Sequence, residues 1–372
     1  MSILLKLSNR LVPMMSKGKI AVLASVLLLV VIAGYLWQAG FWAQPHKQYS
    51  GPLEKITISA LSNSTSGLLL IAQAKGYFRD NGLEATLKLY PTGPMGLEQL
   101  KAGRIDVAHV ADFVLVKEIL QGAEYLRCLG SIAATDIFQV IARKDRGILP
   151  PGDLKGRRIG VSRATAAEFY LGQFLTFHNL AWRDVELVDL NPADLSEALA
   201  SGQVEAVMVW EPYVSEIKKR LGDKVISWPG QSGRQFYNVL VSSGQFIKAK
   251  PEALTRLFRA LDRAASFVKQ NNAAGLQITA QQLKVDASVL KDEWLGSNYE
   301  LSLDQSLLIT MEDKARWMIN NKLTEETRLP DFLNYFSVEP LARAVTRVVQ
   351  LIIPKDERPI APAPSGAGQE RP

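Results

Sequence analysis

The sequence predicts an α/β protein made of two similar lobes, and three observations support this fold class. First, one phrase occurs twice, at residues 98–108 and 197–207: a helix end, a glycine, and a short apolar strand that carries one acid. Second, candidate strands alternate with candidate helices around both phrases, which is typical of parallel sheets. Third, another carboxylate follows each phrase at the same distance, Asp112 in the first half and Glu211 in the second.

In the first half, the predicted elements alternate regularly. Their order is strand 56–59, helix 68–78, strand 83–90, helix 95–102, strand 105–110, a helix that begins at Asp112, and strand 126–131. Gly76 and Gly82 bracket the end of helix 68–78, Gly103 follows helix 95–102, and the Pro91–Pro94 turn closes a strand, because these residue types stop helices and form tight turns.

The second half repeats this order from residue 153 onward. It contains strand 158–161, a helix from the 162–165 turn to about residue 180, strand 185–190, helix 193–200, strand 204–209 and a helix that begins at Glu211. Pro212 is expected at the first position of that last helix, where proline is well tolerated. Two such units predict two lobes, each with its own parallel sheet.

The lobes are predicted to exchange chain segments. Lobe 1 is assigned residues 53–140 and 237–330, and lobe 2 is assigned residues 141–236. The extended segments 137–142 and 236–242 lie at the lobe boundaries, so they are candidate crossovers.

The C-terminal region is predicted to be mostly helical, with apolar residues at helical spacing in 251–269, 303–321 and 338–353. Residues 331–353 form the predicted C-terminal helical segment. Residues 354–372 are rich in proline, alanine and glycine, which predicts a disordered tail.

The composition describes a globular chain that is long enough for two domains. It has 372 residues, of which 47% are hydrophobic and 22% charged. Its single cysteine, Cys128, excludes a disulfide framework within the chain and a cysteine-based metal cluster, and its three histidines lie far apart. We therefore expect neither a metal site nor a cofactor.

Positive charge is concentrated at the N-terminus. The formal net charge is +6, and four basic residues with no acid lie within residues 1–19. No sustained run of Lys and Arg follows, so nucleic acid is not an expected partner.

Residues 20–37 are uncharged and almost wholly apolar, which is long enough for one helix to cross a bilayer. Basic residues precede this segment and aromatic residues follow it, so residues 1–19 are predicted to be cytoplasmic and 38–52 a tether to an exported domain. This predicts a single-pass protein of the bacterial inner membrane with its main domain in the periplasm. A cleaved signal peptide is the alternative, although Phe41 is bulky for the best cleavage candidate.

Two polar turns, each between a strand and a helix, are candidate ligand contacts. Ser62, Asn63 and Thr65 lie in the first turn, and Ser162, Arg163 and Thr165 lie in the second. Ligands bind outside the carboxyl ends of strands in parallel sheets, and free amides at a helix N-terminus favour an anion. Ordinary N-capping by Ser and Thr is the alternative.

A second group of candidates contains acids and their neighbours. Asp112 and Glu211 each begin a helix after a strand, and two acids that face a cleft favour a cationic or N–H donor group. Trp210 beside Glu211 is a candidate ligand wall, with a core position as the alternative. Thr92, in the turn after strand 83–90, and Thr135 and Asp136, after strand 126–131, complete the set. Together the turns and acids favour a zwitterionic ligand such as an aminosulfonate.

Several motifs occur in an order that resembles a known family. They are Gly76-Tyr77-Phe78 with Asn81-Gly82-Leu83, Gly103-Arg104-Ile105-Asp106, Asp153-Leu154-Lys155-Gly156, Gly202-Gln203-Val204-Glu205-Ala206, and Trp210-Glu211-Pro212. The chain resembles the periplasmic substrate-binding proteins of ABC importers in the nitrate, aliphatic-sulfonate, taurine and thiamine-precursor group. The resemblance covers roughly residues 53–300.

This resemblance implies a type II periplasmic-binding fold with two lobes and two crossovers. It also implies that the pocket is formed by both polar turns, Asp112, and the Trp210–Glu211 segment. Arg163 and Ala164 depart from the family, in which Gly-Ser is frequent at the corresponding positions.

The absence of a nucleophile–base pattern favours binding over catalysis. The first hypothesis is a membrane-tethered protein that captures a small organic or anionic ligand for an ABC permease and ATPase. The alternative is a sensor or adaptor that signals ligand occupancy to a membrane partner. An enzyme is the least favoured hypothesis.

Overall fold

A computed structural model describes residues 49–231 and 233–352. The predicted membrane segment 20–37, its neighbours 1–19 and 38–48, and the predicted tail 354–372 lie outside this part of the chain. Among the described residues, no helix is both long and apolar enough to span a bilayer. The anchor and the tail therefore stay predictions.

The first sheet has five strands in the order β2-β1-β3-β10-β4. They are β1 (Glu54–Leu61), β2 (Leu83–Tyr90), β3 (Val107–Ala111), β4 (Leu126–Thr135) and β10 (Phe236–Ser243). β2 and β3 run parallel to β1, whereas β10 is antiparallel to both β3 and β4. Every residue of β3 is buried, as expected for a central strand covered on both faces.

The second sheet has five strands in the order β7-β6-β8-β5-β9. They are β5 (Gln139–Arg143), β6 (Arg158–Val161), β7 (Glu186–Asp189), β8 (Ala206–Val209) and β9 (Val225–Pro229). β7 and β8 run parallel to β6, and β5 is antiparallel to β8 and β9. The two sheets therefore share one plan, in which the fourth strand of each is the antiparallel one.

The described helices occur in both halves and in the C-terminal region. In chain order they are α1 (Gly67–Ala74), α2 (Tyr77–Asp80), α3 (Gly93–Lys101), α4 (Asp112–Leu120), α5 (Ala166–Phe177), α6 (Leu195–Ser201), α7 (Tyr213–Leu221), α8 (Gly244–Ala249), α9 (Pro251–Gln270), α10 (Asn272–Leu283), α11 (Ala287–Leu295), α12 (Gln305–Asn320) and α13 (Glu339–Ala344). A short parallel pair, β11 (Leu303–Asp304) with β12 (Val349–Gln350), lies near the C-terminus of the described chain.

The repeated phrase corresponds to equivalent structure in the two lobes. In lobe 1 it covers the end of α3 and the start of β3, and in lobe 2 the end of α6 and the start of β8. The repeated glycines, Gly103 and Gly202, have φ of 69° and 85°. A glycine occurs there twice because both chains leave the helix in the left-handed region, where a Cβ is disfavoured.

The acid inside each phrase has a structural role. The Asp106 carboxylate accepts a 2.7 Å hydrogen bond from the Thr57 amide in the middle of β1. The Glu205 carboxylate accepts one of 3.0 Å from the Arg158 amide at the start of β6. In each lobe, the acid thus joins the strand after the helix to the neighbouring parallel strand, which explains why both phrases carry one.

Several predicted elements differ in detail from the observed ones. The predicted helix 68–78 is interrupted at Gly76, whose φ is 71°, and continues as the short α2. The predicted helix 338–353 is wrong over most of its length, because α13 ends at Ala344 and β12 follows. Pro212 precedes α7 as its cap residue, and the Glu211–Pro212 peptide bond is cis.

The predicted crossovers 137–142 and 236–242 are mainly strands. The chain passes between the sheets in the short connections 136–138 and 230–235, between the end of β4 and the start of β5 and between the end of β9 and the start of β10. These segments are extended, as predicted, and β5 and β10 each pair with a neighbouring strand on both sides.

Candidate ligand pocket

A pocket lies between the two sheets, at the carboxyl ends of their parallel strands, where ligands of open α/β sheets bind. Lobe 1 contributes residues that follow β1, β2 and β3, lobe 2 contributes residues that follow β6 and β8, and the connecting segments contribute the remainder. The lining residues are Leu61, Asn63, Thr65, Pro91, Thr92, Gly93, Ala111, Val114, Ile137, Phe138, Thr165, Ala166, Trp210 and Phe236. Five of the twelve predicted site residues are among them: Asn63, Thr65, Thr92, Thr165 and Trp210.

Aromatic rings form one wall of the pocket. Phe138 stacks on Phe236 with ring centroids 5.3 Å apart, and Trp210 meets Phe138 edge to face at 5.6 Å. Tyr170 of α5 lies behind Phe138, at 5.8 Å. Phe138 lies in the connection 136–138, and Phe236 begins β10 directly after the connection 230–235, so this wall lies where the chain passes between the two sheets.

The space between the lining residues is small, about 40 Å³. A cavity needs roughly 10–15 Å³ to hold one water molecule, so this space admits a few waters and no organic solute of ordinary size. Entry of a ligand therefore requires the lobes to move apart or the aromatic side chains to turn.

In lobe 1, some of the hydrogen-bonding groups of the polar turn are satisfied within the turn. The Asn63 side-chain oxygen accepts hydrogen bonds from the Thr65 amide at 3.2 Å and from the Thr65 hydroxyl at 2.6 Å. Asn63 is only 5% exposed and lines the pocket. Within the described residues the side-chain nitrogen of Asn63 makes no hydrogen bond, so it is a donor available to a ligand.

The helix N-termini add further donors. Thr92 precedes α3 without a capping hydrogen bond from its side chain, and Gly93 is the first residue of that helix. Ala166 is the first residue of α5, and the amide of such a residue has no carbonyl partner inside its own helix. Thr92, Gly93 and Ala166 all line the pocket, so two helix N-termini meet there from opposite lobes.

In lobe 2, the predicted anion-binding turn is occupied by the protein's own acids. The Ala164 amide donates to the Glu168 carboxylate at 2.7 Å, and the Arg163 amide donates to the Asp189 carboxylate at 3.1 Å. The Arg163 guanidinium also pairs with Glu168, at 3.0 Å. Ala164 has a φ of 62°, an unusual value for a residue with a side chain. The donors that the sequence suggested for an external anion are thus largely satisfied internally.

Asp112 makes a buried ion pair in place of lining the pocket. The Lys314 ammonium of α12 lies 2.9 Å from its carboxylate, and the two side chains are 1% and 0% exposed. Asp112 also accepts hydrogen bonds from the amides of Phe113 at 2.7 Å and Tyr237 at 3.3 Å. Burial lowers the pKa of Lys314, and the Asp112 charge opposes this shift. This carboxylate is therefore fully committed within the protein.

Glu211 also has protein partners. Its carboxylate accepts a 3.0 Å hydrogen bond from the Ser215 amide at the start of α7, and its own amide donates to the Glu293 carboxylate at 2.7 Å. Burial raises the pKa of Glu211. It is next to Trp210 in the sequence, but its side chain does not line the pocket.

The remaining predicted residues lie around the pocket without lining it. Thr135 is buried and its hydroxyl accepts a hydrogen bond from Asn238, at 3.0 Å. The Ser162 hydroxyl donates to the Leu190 carbonyl at 2.8 Å. Ser62 is exposed, and Asp136 lies in the connection between β4 and β5, where burial raises the pKa of its carboxyl. Whether any of the twelve residues contacts a ligand stays a prediction.

Sequence reasoning missed four important residues: Phe138, Phe236, Glu293 and Lys314. Phe138 and Phe236 stand at the lobe boundaries that the sequence indicated, so an aromatic residue at both boundaries was an available signal. Glu293 and Lys314 lie in helices with no repeat relationship to the rest of the chain, and nothing in their local sequence indicates a partner.

The family was identified by comparison with known proteins. The family described as NMT1/THI5 like matches residues 63–274, which is more than half of the chain. The chain belongs to this family. The predicted resemblance to substrate-binding proteins of the sulfonate and thiamine-precursor group is confirmed.

One relative and two solved structures illustrate the range of the likeness. A putative aliphatic sulfonates-binding protein of Bacillus subtilis is 26% identical over 286 residues, which cover 75% of this chain and 83% of the relative. The alkanesulfonate-binding protein SsuA of Xanthomonas axonopodis, solved bound to MOPS, superposes with a TM-score of 0.64 at 19% identity, covering 82% of this chain and 100% of that one. The desulfurization enzyme DSZB has a TM-score of 0.59 at 18% identity and covers 79% of this chain and 99% of that one.

These structural likenesses show the fold. The periplasmic-binding-protein-like α/β fold with two sheets, predicted from the sequence, is confirmed.

Proposed function

We propose that this protein is an extracytoplasmic solute-binding protein that captures a small organic ligand between its lobes for ABC-type import. The observation that carries the proposal is the pocket between the two sheets, which takes residues from the corresponding strand ends of both lobes. A site of this kind forms and opens as the lobes move about their connections. The B. subtilis relative, named as a putative aliphatic sulfonates-binding protein, supports the same function.

The chemistry of the lining supports a ligand with an apolar body and one compact acceptor group, such as a sulfonate. Three aromatic rings and several aliphatic side chains supply the apolar surface, while Asn63, Thr92 and the helix N-termini supply donors. None of the fourteen lining residues is charged. The ammonium group of a ligand buried in this pocket has no carboxylate to pair with, since Asp112 is already paired with Lys314. This argues against the zwitterionic ligand favoured by the sequence.

Calorimetric titration of the full chain with four probes tests this proposal: benzenesulfonate, butanesulfonate, taurine and nitrate. We expect benzenesulfonate to bind most tightly and taurine to bind at least about ten-fold more weakly than butanesulfonate, which corresponds to about 1.4 kcal/mol. A preference for taurine or nitrate contradicts the proposed ligand class. Absence of binding for every probe contradicts a sulfonate-binding function.

The proposed partners are an ABC permease and its ATPase, with the chain held at the inner membrane by residues 20–37. Deleting the gene for this protein from the cells that produce it is expected to abolish their uptake of the ligand. Unchanged uptake together with a changed transcriptional or signalling response to the ligand supports the sensor or adaptor function instead.

A further inference from the structure

Glu293 lies between the two lobes although it belongs to neither repeat. It is carried by α11, and its side chain is buried. One carboxylate oxygen accepts a 2.7 Å hydrogen bond from the Ser64 hydroxyl in the polar turn of lobe 1. The other oxygen accepts a 2.7 Å hydrogen bond from the Glu211 amide at the end of the repeat in lobe 2. One carboxyl group thus joins the two halves directly.

Both partners of Glu293 are neighbours of pocket residues. Ser64 lies between Asn63 and Thr65, and Glu211 follows Trp210, and these three flanking residues all line the pocket. A change in the position of the Glu293 carboxyl therefore moves one wall of the pocket relative to the other.

The segment around Glu293 is attached to lobe 1. Asn298 and Ala134 exchange two backbone hydrogen bonds, of 2.8 and 2.9 Å, and Ser302 and Ser131 exchange two more, of 3.0 and 2.7 Å. Tyr299 donates to the Ser64 carbonyl at 3.0 Å, and Trp294 stacks on Tyr299 with ring centroids 4.1 Å apart. When the lobes separate, the contact that is lost is therefore the hydrogen bond from Glu211.

We propose that Glu293 is a positioning residue that clasps the Trp210–Glu211 segment to the Asn63–Thr65 turn and so holds the pocket closed. This inference rests on the proposed binding function and adds a determinant of closure to it. Neither the duplicated phrase nor the pocket lining contains this residue.

The protonation state of Glu293 supports a pH-dependent clasp. Burial raises its pKa from 4.5 to about 8, against the opposing effect of its two hydrogen bonds. The ionisable groups that face it are Glu211, whose charge adds to the rise, and the Tyr299 hydroxyl. Lys218 and Asp292 act on Glu211 in opposite directions.

The direction of the pH effect follows from this shift. The pKa is higher in the closed, buried arrangement than in solvent, so closure is most favourable below about pH 4.5 and is weakened as the pH rises through about 8. The protonated acid keeps both contacts, because its carbonyl oxygen accepts from the Glu211 amide and its hydroxyl can hydrogen-bond to Ser64.

The test compares Glu293→Gln and Glu293→Ala in the full chain, with Glu300→Gln as an exposed carboxyl control on the same segment. The distance between the lobes is measured between spin labels at Lys88→Cys and Glu186→Cys, on the outer strands of the two sheets, without any ligand. Benzenesulfonate binding is measured in parallel at about pH 6 and about pH 9, on either side of the pKa of about 8.

We expect Glu293→Ala to populate longer distances and to weaken benzenesulfonate binding about ten-fold or more. Wild type and the Glu300→Gln control should show longer distances and about ten-fold weaker binding at the higher pH. Glu293→Gln, whose amide can make both contacts but does not titrate, should remain closed at both values.

An unchanged distance distribution in Glu293→Ala overturns the clasp. An equal pH response in Glu293→Gln and wild type overturns its pH dependence. Because the distance measurement needs no ligand, it decides the role of Glu293 even if no sulfonate binds. Failure of the sulfonates alone contradicts the proposed ligand class and leaves the distance result standing.

Discussion

Asp112 and Glu211 occupy the same position in the two repeats, yet the protein uses them differently. Asp112 directs its carboxylate to a buried Lys314 at 2.9 Å. The Glu211 carboxylate accepts a hydrogen bond from the Ser215 amide in the first turn of α7, and the Glu211 amide donates to Glu293. A duplicated position therefore retains its place in the sheet, while its chemistry is set by whichever helix docks beside it.

Lys314 and Glu293 lie in the C-terminal helices that follow the duplicated region. Each of them contacts residues of both lobes. Lys314 pairs with Asp112 of lobe 1 and lies over the rings of Phe169 and Tyr170 in lobe 2, at 5.2 and 5.7 Å from their centroids. Glu293 joins Ser64 to Glu211. The C-terminal helices therefore act on the same two positions that the repeat makes equivalent.

Substitution of Lys314 is expected to lower the stability of the protein most. Lys314→Ala leaves Asp112 buried without its cation, which is expected to lower the free energy of unfolding by about 3–5 kcal/mol. Urea unfolding measures this loss. The double variant Lys314→Met with Asp112→Asn should recover much of it because no unpaired charge remains, and a double variant as unstable as Lys314→Ala contradicts the ion-pair interpretation.

The second effect is on ligand binding and concerns Trp210 and Ala111, the residues that precede Glu211 and Asp112. Trp210→Ala removes an aromatic wall from the pocket and is expected to weaken benzenesulfonate binding by about 2 kcal/mol, roughly 30-fold. Ala111→Gly, the corresponding change in lobe 1, should alter binding less than about three-fold. Titration calorimetry compares the two variants, and equal losses would falsify the asymmetry between the lobes.

The third effect is a pH dependence of stability that we expect from His109 in lobe 1. The corresponding residue of lobe 2, 99 positions later, is Met208, which does not titrate. Burial lowers the pKa of His109 from 6.5 to about 3, so the stability that depends on its neutral form is complete above about pH 6.5 and declines as the pH falls toward 3. Between pH 7 and pH 5 the wild type is expected to lose about 2 kcal/mol of its free energy of unfolding through this group.

The variant His109→Met gives lobe 1 the residue of lobe 2 and should lack this part of the acid sensitivity. Unfolding in urea at several pH values measures it. Parallel pH profiles of the wild type and the variant contradict the assignment to His109.

The smallest effect tests the positions that the two lobes use alike. Asp106→Asn and Glu205→Gln each weaken one hydrogen bond between parallel strands, and each is expected to lower the free energy of unfolding by about 1 kcal/mol. The loss at Glu205 should exceed that at Asp106 slightly, because Glu205 also pairs with Arg158. Chemical denaturation measures both, and a loss above about 3 kcal/mol at one position alone contradicts their equivalence.

Much of the fold was predictable because its signals are local. Strands 83–90 and 158–161 were predicted with the bounds that the structure has. Gly82 and Pro91 mark the ends of the first, and Gly156 and the polar turn 162–165 mark those of the second. The interruption at Gly76 and the early end of α13 were not predicted, because apolar spacing alone does not show where a helix stops.

The candidate site was predictable in outline. The five predicted residues that line the pocket lie at strand ends, which sequence order reveals once the sheet is parallel. Arg163 and Asp112 are at strand ends too, but their charges meet Glu168 and Lys314, so a position at the cleft did not by itself determine contact with it.

The two-lobed α/β plan, the equivalence of β3 with β8, and the need for glycine at positions 103 and 202 could be read from the sequence, because each depends on residues close together in the chain. Which acids are paired with other side chains depends on tertiary contacts. Lys314 lies 202 positions from Asp112, and Glu293 lies 229 from Ser64 and 82 from Glu211. Burial and charge pairing depend on where these distant helices dock, and no local pattern carries that information.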